Sequence, residues 1–170
     1  MKKATDLTTP DDLLNIHPGC IVIVKKKYYC NGQIAYDITY VDSKEHGTYR
    51  QWYEDGQLKS ETIYTNGKEH GLCKIWYTNG QLWNETTYVN GKEHGLYRQW
   101  HECGQIRIET PYVEGSKHGL CKMWHENGQL RIETTYVEDK KHGPYRRWDT
   151  NGQILIETTC VMGKKHGSYR

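Results

Sequence analysis

The 170-residue sequence predicts an all-β protein: an elongated single-layer antiparallel sheet of tandem 24-residue β-hairpin repeats, with a short N-terminal helix. Three observations carry this expectation. His-Gly recurs at 46-47, 70-71, 94-95, 118-119, 142-143 and 166-167, always 24 residues on. Gly-Gln keeps the same step from Gly32 to Gly152, and so do Trp52, Trp76, Trp100, Trp124 and Trp148. Self-similarity at a fixed period marks a repeat architecture in which each unit is one supersecondary element. Composition suits a thin sheet. With 35% apolar residues and a mean hydropathy of −0.93 a thick core is out of reach, yet 14 Tyr and 6 Trp supply rings whose polar atoms meet water while their bodies pack.

At the start, Thr9-Pro10-Asp11-Asp12 reads as a helix cap, a proline at the first helical position and acids in the first turn. A short helix is therefore expected over residues 10–16, in an N-terminal arm of residues 1–19. The run "CIVIVKKKYY" departs from the repeat and is expected to open a capping hairpin, residues 20–44, before tandem repeats over 45–170.

Within each repeat, two runs rich in Tyr, Trp, Thr, Ile and Leu flank Asn-Gly or Asp-Gly, the strongest short-range hairpin signal. A two-residue turn at Asp55-Gly56 would set Tyr53 opposite Leu58, Trp52 opposite Lys59 and Arg50 opposite Glu61. The Arg50 register is always basic (Lys74, Arg98, Lys122, Arg146, Arg170) and the Glu61 register always acidic (Asp37, Glu85, Glu109, Glu133, Glu157). Opposite charges across a hairpin contribute about 0.2–1 kcal/mol each, and a ladder of them fixes register. A four-residue link, 66–69, would put Glu61 opposite Lys74 and Tyr64 over the bare backbone of Gly71. The same pairing is expected of Tyr40 with Gly47, Tyr88 with Gly95, Tyr112 with Gly119 and Tyr136 with Gly143, as aromatic rescue of glycine.

Alternation then sorts two faces. One carries Tyr49, Tyr53, Leu58 and Tyr64 with their equivalents, among them Cys73, Ile75, Ile106, Ile108, Met123, Leu130, Ile132, Ile154 and Ile156. The other carries the tryptophans, the charge ladder and Leu72, Leu96 and Leu120, with Arg107 and Arg131 expected to stack on Trp100 and Trp124.

The recurring W-x-x-x-G-Q-L-x-x-E-T-x-Y-x-x-G-K-x-H-G resembles the MORN repeat, in the variant form found in bacterial antitoxin-like proteins and large viruses of amoebae. The resemblance covers about residues 28–170. It implies stacked hairpins with a groove, and a binding or scaffolding role, at membranes among other places, without catalysis. Asp139 and Ser43 depart from it at the loop glycine, and Tyr28 stands where tryptophan would.

The sequence weighs against several function classes. Six histidines about 10 Å apart, two strands per repeat, cannot share a metal, and no metal or cofactor is expected. Their expected role is as loop-closing rings packed on the adjacent repeat, with His101 and His125 as surface substitutions. Cys73 and Cys121 fall two repeats apart, roughly 19 Å, beyond the disulfide limit of about 7 Å. Acids and bases lie on ladders rather than converging, so no catalytic residue is expected. With 23 basic and 21 acidic residues, nucleic acid is not an expected partner. No signal-peptide pattern opens the chain, and the expected location is the cytoplasm, that of a host cell if the source is viral. The candidate binding strip is Trp52, Trp76, Trp100, Trp124 and Trp148 with Arg50, Arg98 and Arg146, forming an aromatic and basic groove for a protein partner of unknown identity. Lys140, Lys141, Arg146, Arg147, Lys164 and Lys165 form a basic cluster that could touch an anionic membrane weakly, solvated surface being the more ordinary reading. The C-terminal sheet edge is a candidate for self-association. Two other readings stay open: a carbohydrate-binding aromatic module and an antitoxin-like inhibitor of a toxin.

Overall fold

Residues 20–166, with the backbone of Thr5 and Asp6, are described by a computed structural model. Every regular element among them is a strand, and the pairings within each unit are antiparallel. The helix expected over residues 10–16 lies outside the described residues. The chain divides into two compact units, residues 1–81 with 88–91 and residues 82–87 with 92–170. In the first, Val22–Tyr28 pairs with Ile34–Val41, Gly47–Trp52 with Leu58–Thr65, and Lys68–Trp76 follows on. Thr5–Asp6 pairs with the Tyr28 end of the first strand. In the second, Gly95–Trp100 pairs with Ile106–Val113, Gly119–Trp124 with Leu130–Val137, and Lys140–Trp148 with Ile154–Val161. Each unit is one layer, its contacts running between neighbouring strands.

The two kinds of turn are the reverse of those expected. At the hairpin tip, the Tyr53 amide donates to the Gln57 carbonyl at 2.8 Å and Gly56 donates to Tyr53 at 3.0 Å, which closes a three-residue loop. Only Gly56, at φ +88°, turns left-handed there, as this loop class requires. Asp55 Oδ1 accepts from the Gln57 amide at 2.9 Å and stiffens the loop. The extra residue is absorbed by a bulge: Trp52 faces Leu58, Gln51 faces Ser60, and Lys59 is left between. Arg50 therefore still meets Glu61. The bulge also moves Leu58, Ile106, Leu130 and Ile154 to positions opposite Trp52, Trp100, Trp124 and Trp148, not onto the tyrosine face. Arg107 and Arg131 occupy the bulge position and are exposed. The cations placed over rings are instead lysines over tyrosines, such as Lys141 over Tyr145 at 4.4 Å.

The link is a two-residue turn, not a four-residue loop. Asn66 and Gly67 both have positive φ, 53° and 79°, and Thr65 faces Lys68. Such a turn matches the twist of its strands. Surplus residues around His70-Gly71 form a second irregularity, beyond which Glu61 meets Lys74 as expected. Tyr64 consequently faces Glu69, not Gly71; likewise Tyr40 faces Glu45, Tyr112 faces Lys117 and Tyr136 faces Lys141. On their other side Tyr64, Tyr112 and Tyr136 do face glycines, but those of their own hairpins, Gly47, Gly95 and Gly119. A Cβ at Gly47, Gly95 or Gly143 would meet nothing within 4 Å. No ring is being given room there. The glycines are needed because φ is +84°, +86° and +89°, where an L-residue is strained.

The six repeat histidines are also differently placed. Their side chains are exposed, not packed on the next repeat. It is the backbone amide that closes the link, His46 donating to Thr39 and His94 to Thr87, each at 2.8 Å. The side chains that do tie neighbouring hairpins are at the tips. Tyr29 and Tyr53 donate their hydroxyls to the Trp52 and Trp76 carbonyls at 2.7 and 2.6 Å, and Nε2 of His125 lies 3.2 Å from the Trp148 carbonyl. His125 thus takes over a tyrosine's task, and the His101 side chain is only 15% exposed; neither is a surface substitution.

Candidate functional site

Opposite strand residues share a face, so the pairings resolve two surfaces. The first carries the charge ladder. In the first unit Lys26, Asp37, Arg50, Glu61 and Lys74 stand in register across successive strands. In the second the series is Glu85, Arg98, Glu109, Lys122, Glu133, Arg146 and Glu157. Arg98 bonds Glu85 and Glu109, both at 3.1 Å, and Arg146 bonds Glu157 at 2.8 Å and Glu133 at 3.4 Å. These carboxylates hold both guanidinium pKa values above the ordinary one. Arg50, Arg98 and Arg146 are thus already engaged, which aims them at neighbours and leaves about two-fifths of each side chain open.

Two residues along each strand lie the tryptophans, all half-buried. The residues two positions the other way are open: Leu72, Leu96 and Leu120 are 40%, 36% and 45% exposed, joined by Ile63 at 37%. Each unit therefore presents a charged row between an indole row and an aliphatic row. The sequence placed Trp, ladder and leucines on one face, and the structure brings them together. It missed Ile63, whose exposure follows from facing Thr48 on this side.

The second surface is lined by tyrosine, threonine and cysteine. Cys73, Cys121 and Cys160 are buried, as are Thr62, Thr110, Thr134 and Thr158. In sequence, small Cys alternates with Tyr at one repeat position (Tyr49, Cys73, Tyr97, Cys121, Tyr145). Thr62 and Thr110 hydroxyls sit 3.2 and 3.1 Å from the Cys73 and Cys121 sulfurs. Burial and then Glu93 push the Tyr112 phenol up to about 12. Two concavities open here: one of about 340 Å3 lined by Tyr36, Tyr40, Tyr49 and Tyr64, and one of about 210 Å3 lined by Lys141, Tyr145, Cys160 and Lys165.

The basic cluster of the last repeats does not form one patch. Lys141, Arg147 and Lys165 face Tyr136, Ile132 and Cys160 on the tyrosine side, whereas Arg146 stands in the ladder and Lys140 and Lys164 flank link turns. Among the described residues no three His, Cys, Asp or Glu converge as metal ligands.

The geometry defines a tandem β-hairpin repeat protein with two chemically distinct faces. Five consecutive stretches, residues 45–66, 69–90, 93–114, 117–138 and 141–159, match the model of the MORN repeat variant. The chain belongs to that family. No curated protein matches it.

Proposed function

We propose that this chain is a non-enzymatic scaffold that binds a protein partner through the tryptophan faces of its two units, Trp52 and Trp76 with Arg50 in the first and Trp100, Trp124 and Trp148 with Arg98 and Arg146 in the second. Membership of the MORN repeat variant family supports a scaffold of repeats. The observation that carries the reading is that Leu96 and Leu120 in the second unit, and Leu72 in the first, are each more than a third exposed on the side of their own unit's tryptophans. Large apolar side chains held in line and left open mark interaction surfaces. Tryptophan and arginine dominate the energetics of such surfaces when a partner excludes water from them.

The leucines give a cleaner test than the tryptophans, because exposed residues can be changed with little cost to folding. Affinity purification from the native cell is compared between wild type and a Leu72→Ser, Leu96→Ser, Leu120→Ser variant. A defined partner set that is lost from the variant, with the melting curve unchanged, is the expected result. Equal recovery by both forms would remove this face as the binding surface.

A further inference from the structure

One position breaks the near-identity of the repeats in an ordered way. The residue before each repeat histidine is glutamate three times, at Glu45, Glu69 and Glu93, and then lysine three times, at Lys117, Lys141 and Lys165. The structure fixes where this residue points. It follows the two-residue link and faces the tyrosine register: Glu45 opposite Tyr40 and Glu69 opposite Tyr64 in the first unit, Lys117 opposite Tyr112, Lys141 opposite Tyr136 and Lys165 opposite Cys160 in the second. Its backbone is fixed too. Glu45 accepts from the Gly67 amide at 2.9 Å and Glu69 from Gly91 at 2.8 Å; Lys117 accepts from Asp139 at 3.1 Å and Lys141 from Gly163 at 2.9 Å. Within each unit these side chains therefore stand one repeat apart, two strands or about 10 Å.

We infer that a second copy of this chain docks on this face, the Glu45–Glu69 stretch of one copy meeting the Lys117–Lys141 stretch of the other. Three features carry the inference. The signs are complementary and the spacing is the same on both sides, because one repeat geometry sets both. Among the described residues none of Glu45, Glu69, Lys117 or Lys141 is in an ion pair, in contrast to Arg98 and Arg146 on the opposite face. Lys117 and Lys141 instead lie over the Tyr136 and Tyr145 rings at 5.5 and 4.4 Å. Neighbouring tyrosines give the contact an apolar body: Tyr49 packs edge-on to Tyr36 and Tyr64, and Tyr97 to Tyr112. Lys25, over Tyr40, and Lys27 share the face of the first hairpin, so the acidic stretch is the link side, at Glu45 and Glu69. Complementary charge of this kind sets partner and register. One acidic and one basic surface per chain allow a closed pair or a head-to-tail series.

The test is a charge-reversal cross. Sedimentation velocity is run over a range of concentrations, at low and at high salt, on wild type, on Glu45→Lys/Glu69→Lys and on Lys117→Glu/Lys141→Glu. Wild type is expected to associate, more weakly at high salt because exposed charges are screened. Each reversed variant alone should associate at least about tenfold more weakly, since like charges now meet. The equimolar mixture of the two variants should associate again, each copy offering what the other lacks. Circular dichroism shows whether each variant is folded, and Glu→Gln and Lys→Gln counterparts, expected to lose the salt dependence, replace any that is not. Wild type that is monomeric at every concentration, or association that reversal leaves unchanged, overturns the inference.

Discussion

Gly95 offers a direct trial of what the repeated His-Gly pair is for. Its φ is +86°, and a Cβ built on it would meet nothing within 4 Å. If the glycine serves backbone conformation, Gly95→Ala costs the left-handed strain of an L-residue, about 1–2 kcal/mol. If it only made room for a ring, the change would be nearly free, since no atom is in the way. Asparagine tolerates this region better, so Gly95→Asn should cost less than Gly95→Ala although it is larger. Gly119 supplies the contrast. Its φ is +114°, and a Cβ there would lie 2.8 Å from Pro111 Cγ, so Gly119→Ala carries strain and collision together. Adding Pro111→Thr, the residue that Thr87 and Thr135 hold in this register, should recover only the collision. Urea unfolding followed by tryptophan fluorescence gives the four differences, compared at constant m-value. A Gly95→Ala protein as stable as wild type, or Gly95→Asn worse than Gly95→Ala, would refute the reasoning.

Three further outcomes follow from named contacts. Tyr53→Phe deletes the 2.6 Å bond to the Trp76 carbonyl and should lower stability by about 0.5–1.5 kcal/mol, whereas removing an exposed hydroxyl would not register in the same denaturation curve. Arg98→Gln leaves Glu85 and Glu109 without their shared cation; on the basis of about 0.2–1 kcal/mol per cross-strand pair, a loss of roughly 1 kcal/mol is expected, smaller in high salt. Tyr112 is neutral when protonated and its pKa is raised to about 12 by burial and Glu93. Its contribution is complete below the ordinary tyrosine pKa near 10 and is lost as pH rises toward 12. Alkaline melting curves should therefore fall over that window, less steeply in Tyr112→Phe, with the late phenolate absorbance missing from the variant.

Much of this molecule is written in the sequence because a 24-residue period repeats every local constraint. The charge ladder shows it best. Arg50 and Glu61 could be paired from complementary sign alone, and Glu61 with Lys74 likewise, and both pairings hold in the structure. Those pairings constrain only the sum of residue numbers, however, and several turn geometries satisfy one sum. A tight link plus a bulge at His70-Gly71 reaches the same Glu61–Lys74 register as a four-residue loop, so the turns were reversed while the ladder stayed right. The clue lay in Asn66-Gly67, both residues suited to positive φ, against Asp55-Gly56, where one left-handed residue suffices. Asp139 shows the same physics from the other side: it stands where the repeat has glycine, at φ +63°, and its carboxylate accepts from the Lys117 amide at 2.9 Å. That hydrogen bond also lowers its pKa. Face membership of Leu58 and Ile106 was lost through the tip bulge, since one inserted residue flips every side chain beyond it. The tryptophan strip and the exposed leucines were legible from alternation; the Glu-to-Lys reversal was visible too, but its meaning required knowing that this position faces the tyrosine register.

The claim that the tryptophan face is a protein-binding surface is tested most directly by site-specific photocrosslinking in the native cell. Benzoylphenylalanine is placed singly at Leu96, at Leu120 and, as a control, at the exposed hairpin-tip position Thr78. Discrete crosslinked species of the same mass from Leu96 and Leu120, absent from Thr78, are the predicted result. No adduct from either leucine, or an equal pattern from Thr78, would contradict it.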